Sequence, residues 1–256
     1  MTELLTFTIV SGCRPCSKKH NWEYQVWWGQ WLSVLAAIHK VKPNLSAGPD
    51  GLPPLLFKQL RYSLAHPLAI LYNQLFSVST VPPVWKQATI IPVFKKGAAG
   101  AVCTYRPISL TCVASKIMER IIAKQIYVHL LENNLLSSAQ HGFVRGRSTC
   151  TNLFDAVNDW TLTVQNKKAV TIEYIDFSRA FHTVSHNKLL LRLYSYGIRG
   201  VLLEWIKQFF MDRTHQTKVG DCIIFCRVAE RRGTRQWIWA RVVSHLHWRF
   251  GKTAWT

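Results

Sequence analysis

The sequence predicts an α+β fold, and three of its features carry that expectation. Apolar residues recur at helical spacing in several stretches; over 115–131, Ile117, Met118, Ile121, Ile122, Ile126 and Leu130 fall on one side. Runs rich in β-branched and aromatic residues, at 88–94 and 170–177, read as strands. Gly and Pro clusters punctuate the intervals, as at 42–51 and 81–85. With 256 residues, 48% of them hydrophobic, the chain can bury a real core, as one domain or two unequal lobes.

Charge narrows the function. Thirty-two Lys and Arg against 13 Asp and Glu give +19 at pH 7, a balance that implies a polyanionic partner, most plausibly nucleic acid. No acid lies between Asp50 and Glu119, while Lys58, Arg61, Lys86, Lys95, Lys96, Arg106 and Lys116 do, so this interval should form a positive face. The seven cysteines, an odd count without a secretory leader, fit free thiols in a reducing compartment. Cys13 and Cys16 lie too far from Cys222 and Cys226, with no His pair at ligand spacing, to favour a zinc site. No apolar run approaches the ~18 residues of a membrane span.

In chain order, residues 1–40 hold Trp22, Trp27, Trp28 and Trp31 with little periodicity and read as a remnant or linker, with a short helix over 30–39. The loop at 42–51 (KPNLSAGPDG) leads into a helix with Pro53 or Pro54 near its first turn and Leu55, Leu56, Leu60, Leu64, Leu68 and Leu71 along it. Strand 88–94 runs into Lys95, Lys96 and Gly97, and a second strand follows at 105–110. Two strands joined by a basic turn can lay an ammonium and a guanidinium on one triphosphate; Lys95, with Lys96 its rival, and Arg106 suit that role. A solvated hairpin tip is the plainer reading of the lysines. Residues 140–149 (QHGFVRGRST) put Arg145 and Arg147 on a glycine-relaxed loop, and Ser148 caps a helix running to about 164. Helices over 187–196 and 201–212 and a strand starting at 216 complete the regular part.

The stretch 170–186 (VTIEYIDFSRAFHTVSH) organises the rest. Asp176 stands at the end of its strand, where a carboxylate suits Mg²⁺ or, more plainly, caps a turn. Residues 174–186 resemble motif A of reverse transcriptases from non-LTR (LINE-like) retrotransposons, usually DFSKAFDTVSH. Arg179 replaces a Lys and His182 the second Asp, which is not a metal ligand in that family. The loop 46–51 resembles the family's SxGPDGIP, 140–149 its QFGFRxGRST, and the basic hairpin its first two motifs. The resemblance covers roughly 41–221.

The resemblance implies a partial right-hand polymerase fold: fingers over 41–168, the first part of the palm over 169–221, and a divergent basic, Trp-rich tail over 222–256. It implies Asp176 as catalytic metal ligand, Lys95 and Arg106 on the triphosphate, and Phe181 beneath the sugar, where a ring would collide with a 2′-hydroxyl. Phe181 reads equally as a core residue. Gly48, Asp50, Arg145 and Arg147 would line the template, unless the arginines only cap neighbouring helices. The implied partners are an RNA template, a DNA primer and deoxynucleoside triphosphates, with Mg²⁺ as cofactor, inside the cell in nucleus or cytoplasm.

One part is missing. Two-metal chemistry needs more than one carboxylate, and the family supplies the others from an Asp-Asp pair (YxDD) after a Gln-Gly template grip. This sequence has no Asp-Asp pair; after Asp176 its acids are Glu204, Asp212, Asp221 and Glu230, each solitary. The tail combines Arg227, Arg231, Arg232, Arg235, Arg241 and Arg249 with Trp237, Trp239, Trp248 and Trp255. It suits stacking on single strands, or it is the product of out-of-frame translation, since a Trp codon read one base later encodes Gly. Sequencing the coding DNA checks the second hypothesis. A one-base shift near 222–232 is expected to restore a Gln-Gly motif, and its absence removes the idea.

Overall fold

Residues 31–43, 45–174, 184–220 and 222–227 are described by a computed structural model. The expected strand end at Asp176, the ring of Phe181, residues 1–30 and the tail beyond Arg227 lie outside the described residues.

Helix α1 (Trp31–His39) buries Val34, Ala37 and Ile38, and two cations close its C-terminal end. Lys58 Nζ donates to the His39 carbonyl at 2.7 Å and an Arg120 guanidinium nitrogen to the Ala37 carbonyl at 2.8 Å. Both satisfy carbonyls that a helix end leaves without partners. The single helix expected after Pro53 is two, α2 (Pro54–Gln59) and α3 (Arg61–Ser77), divided at Leu60. Leu60 has φ −91 and ψ 21, outside helical values, although its N–H still donates to Leu56. Pro67 stands inside α3, where it supplies no donor to the preceding turn.

Helix α4 (Val113–Glu132) is the centre of the core. Each of Ile117, Met118, Ile121, Ile122, Ile126 and Leu130 is buried, as the helical period predicts. Around them pack Tyr72, Phe76, Trp85, Leu193, Ile198, Leu202, Trp205 and Phe209. The Tyr72 hydroxyl donates to the Ala114 carbonyl at 2.8 Å, and its ring meets Trp85 edge-on at 6.1 Å. Buried His129 joins α4 to the end of α6 (His186–Ser195) through Nε2 and the Tyr196 carbonyl, 2.7 Å apart. Since that carbonyl only accepts, Nε2 carries the proton and Nδ1 faces the Asn133 amide.

Helix α5 (Thr149–Gln165) begins as expected at Ser148. The Ser148 hydroxyl accepts from the Thr151 N–H while the Thr151 hydroxyl accepts from the Ser148 N–H, a capping box. Val170–Tyr174 corrects the sequence reading: these residues carry no strand, and Tyr174 is exposed. A β-branched run becomes a strand only beside a partner, and no described strand pairs with this one.

The sheet comes from elsewhere in the chain. Strands β1 (Gln87–Phe94), β2 (Tyr105–Leu110), β3 (Thr214–Val219) and β4 (Cys222–Arg227) run in the order β2-β1-β3-β4. The β1–β2 and β3–β4 pairs are antiparallel, whereas β1 and β3 are parallel. Helix α7 (Gly200–Phe210) leads into β3. Strand β4 occupies residues that the sequence assigned to the divergent tail. Only the inner end of β1, at Ala88 and Thr89, is buried; the outer end at Val93 and Phe94 is open.

Two contacts fix how these layers meet. The first is Gly48, in the loop between α1 and α2. A methyl group there would lie 2.6 Å from the Thr111 carbonyl carbon and 2.7 Å from the Cys112 nitrogen. Backbone rests on backbone, so only glycine fits. The second is the buried polar group of Glu119 and Arg213. Ser115 donates to Glu119 at 2.7 Å, and Arg213 donates to the Phe209 carbonyl at 3.0 Å and, at 3.5 Å, to that of Trp85. Burial pushes the Glu119 carboxyl up to about 7, offset by Ser115, Arg213, Lys116 and Arg120.

Gly48→Ala is expected to destabilise the fold by about 1–3 kcal/mol through overpacking, read as a lower urea midpoint with unchanged slope. For Glu119, the folded state holds its proton between the ordinary 4.5 and about 7, and the unfolded state does not. Its contribution is therefore full below about 4.5 and is lost as pH rises through about 7, a loss on the order of 3 kcal/mol. Thermal unfolding from pH 5 to 8 checks the sign. Glu119→Gln, which keeps an acceptor for Ser115, is expected to remove this part of the pH dependence.

Candidate nucleotide and nucleic-acid interface

The β1–β2 hairpin is braced beyond its last paired residues. The Lys95 N–H donates to the Thr104 carbonyl at 2.9 Å, and the Thr104 hydroxyl reaches the Ala98 carbonyl at 3.0 Å. Gly97 turns the loop at φ +104, and the Tyr105 hydroxyl holds the Ala99 carbonyl at 2.9 Å. Phe94 and Tyr105 meet edge-on, with centroids 5.5 Å apart.

That bracing continues the register past the strand ends. Val93 pairs with Arg106, so both side chains belong to one face of the sheet. Lys95 is two residues past Val93 and returns to that face, diagonal to Arg106 at about 7–8 Å. Both are exposed. Neither has an ion-pair partner among the described residues. Two cations on one face with no neutralising carboxylate are chemically able to donate to phosphate oxygens.

The loop with Gly48 and Asp50 is docked at the junction of β2 and α4. Gly51 closes its turn with an N–H to the Gly48 carbonyl at 3.0 Å, and Asp50 Oδ1 accepts from the Leu52 N–H at 3.3 Å. Beside it, burial first and the Asp50 carboxylate second push the Cys112 thiol up to about 12, so this cysteine stays protonated and unreactive. Asp50 thus faces the first residues of α4, where a carboxylate complements the helix dipole.

Arg145 and Arg147 lie on the loop between α4 and α5. The Arg145 side chain is exposed, and its backbone N–H donates to the Tyr127 hydroxyl at 3.2 Å. The Arg147 guanidinium donates to the Ser138 carbonyl and, at 2.9 Å, to that of Gln140, so part of its fork holds the loop itself. His141 strengthens the same loop, with Nδ1 2.9 Å from the Thr151 hydroxyl and Nε2 3.3 Å from Asp155.

Asp176 and Phe181 are outside the described residues, so their relation to this face stays an expectation. Of the later acids, Glu204 faces Lys207 at 3.4 Å and Asp212 lies 4.0 Å from Lys86. Among the described residues no three His, Cys, Asp or Glu side chains cluster as metal ligands. They do not fit a two-metal centre, and no chemical step is assigned to them through one.

The chain is similar to proteins of known family. Residues 93–242 match the family model described as "Reverse transcriptase (RNA-dependent DNA polymerase)", a span that runs beyond Asp221, where the motif resemblance stops. The chain is 29% identical over 76% of its length to the probable RNA-directed DNA polymerase from transposon BS of Drosophila melanogaster, covering 22% of that protein. It is 30% identical over 71% of its length to the RNA-directed DNA polymerase from mobile element jockey of the same species, covering 20% of it. A retrovirus-related Pol polyprotein from element R2 of Popillia japonica is 27% identical over 61% of the chain, which covers 21% of it. The chain therefore spans about a fifth of the length of the curated relatives it matches. With more than half of its length matching the family model, this chain belongs to the reverse transcriptase family, in the company of non-LTR retrotransposon polymerases.

Proposed function

We propose that the chain is the fingers and first part of the palm of a retrotransposon reverse transcriptase, binding substrate without completing the chemistry. The observation that carries this reading is the hairpin face, with Lys95 and Arg106 together and unpaired. Arg106 supplies a planar fork to two phosphate oxygens and Lys95 a point charge to a third. In this reading Phe181 lies beneath the sugar and selects the deoxy form, and the loops of Gly48 and Asp50 and of Arg145 and Arg147 flank an RNA template paired to a DNA primer. Asp176 would hold Mg²⁺. With no Asp-Asp pair in the sequence, one carboxylate cannot hold the two ions that nucleotidyl transfer requires. Among the described residues no helix is long and apolar enough to cross a membrane. The partners of this reading place the chain inside the cell, in nucleus or cytoplasm.

The second reading, a non-catalytic nucleic-acid-binding module, rests on the net charge of +19. Primer extension on an RNA template separates the two from an active polymerase: no extension is expected from either. Mg²⁺-dependent extension that Asp176→Asn abolishes would overturn the incomplete site. Titration with a fluorescent deoxynucleoside triphosphate separates them from each other. Lys95→Gln and Arg106→Gln are each expected to weaken binding tenfold or more, the loss of one charge-assisted contact of about 1.5–3 kcal/mol. Triphosphate affinity indifferent to both changes would leave only the module.

A further inference from the structure

Lys218 has no role in any motif, yet the sheet brings it to the cationic face. Thr89 is opposite Gln216 in the parallel β1–β3 pair, and the Gln216 amide donates to the Thr89 hydroxyl at 3.0 Å, so both side chains share a face. Val93 is four residues past Thr89 and Lys218 two past Gln216; both therefore return to it. Since Val93 also pairs with Arg106, Lys218 and Arg106 stand on one face. Lys218 is one step beyond the last paired residues, Ile90 and Thr217. Two strand spacings and two residues of rise separate the backbones of Arg106 and Lys218 by about 12 Å.

The surroundings favour an extended polyanion. Lys218 is exposed, and none of the three cations has an ion-pair partner among the described residues. The four strands contain no Asp or Glu. Between the cations the same face shows the exposed apolar side chains of Val93 and Ile108, with Ile223 opposite Lys218. Cations in a row too long for one triphosphate, over an apolar floor, match a strand whose phosphates follow the charges while its bases cover the floor.

The geometry points to a phosphodiester track: Lys218 extends the Lys95–Arg106 face across the sheet and contacts the backbone of a single-stranded nucleic acid. It rests on the reading of that face as phosphate-binding. The test is binding of a uridine oligonucleotide across a salt series by Lys218→Gln, beside Lys124→Gln, an exposed lysine of α4 as charge control. Lys218→Gln is expected to weaken binding and to lower the magnitude of the log K against log salt slope by about 1, as for one lost phosphate contact. Lys124→Gln is expected to leave the slope alone. Equal effects of the two variants overturn the track, because net charge alone would then explain them. Weakened triphosphate binding by Lys218→Gln with an unmoved oligonucleotide slope overturns it in favour of a nucleotide contact. If Lys95→Gln and Arg106→Gln leave triphosphate affinity unchanged, the underlying reading fails, whereas the oligonucleotide slope still judges Lys218.

Discussion

A buried charge joins the two halves of this protein. Arg213 is 7% exposed, with its guanidinium 4.7 Å above the Phe209 ring. One nitrogen closes the end of α7 at the Phe209 carbonyl and another faces the Trp85 carbonyl, just before β1 begins. The first rung of the parallel pair, Gln87 with Thr214, comes one residue after Arg213 and two after Trp85. The guanidinium therefore ties two distant chain segments together at the point where their pairing starts. Burying such a charge costs several kcal/mol unless it is compensated. Here the guanidinium has the Phe209 and Trp85 carbonyls as acceptors, and Glu119, on the central helix, shares the interior with it; burial raises that carboxyl while the neighbouring cations restrain the rise.

This arrangement accounts for the split character of the sheet. Its inner end, at Ala88 and Thr89, is packed into a core supplied by helices, and the register set there carries outward along β1 and β3. The outer end then needs no core of its own to hold its side chains in order. Arg106 and Lys218 stand on strands whose positions are fixed by the rungs behind them, and Lys95 follows directly on the end of one. A surface charge held in this way costs less conformational entropy on binding than one on a mobile loop. The paired Thr104 and Tyr105 contacts extend the same economy to the hairpin tip.

Much of this was legible in the residues. The stripe from Ile117 to Leu130 gave the buried face of α4, Ser148 gave the start of α5, and the basic turn between two apolar runs gave the hairpin with Lys95 and Arg106. These are local signals, and period or capping chemistry reads them directly. What stayed hidden depends on distant partners. Nothing near Lys218 announces that residues 87–90 pair with 214–217, and without that pairing the lysine has no face. Glu119 lies between Lys116 and Arg120 on either side in sequence, and only the fold shows that it is a buried acid whose partner is Ser115. Gly48 reads as a turn residue or template contact, while its tightest requirement is the backbone of Thr111 and Cys112. Val170–Tyr174 failed in the opposite direction: its composition suits a strand, but no described strand lies beside it.

The distribution of charge bears on what one segment can do. A surface that holds a triphosphate or a strand backbone works by unneutralised cations, and a carboxylate within reach would compete for them. A metal centre needs the reverse, several carboxylates whose mutual repulsion the ions relieve. The two demands cannot be met by the same few residues, so a polymerase must assign them to different elements. Here the four strands have no acid at all, and the stretch from 51 to 118 has none either. On the proposed reading the cationic half of that division falls to the hairpin and β3, while the acidic half has Asp176 alone in its motif. On the proposed reading a chain so composed would grip phosphate through its sheet, and its capacity for chemistry would be set by how many carboxylates face that sheet.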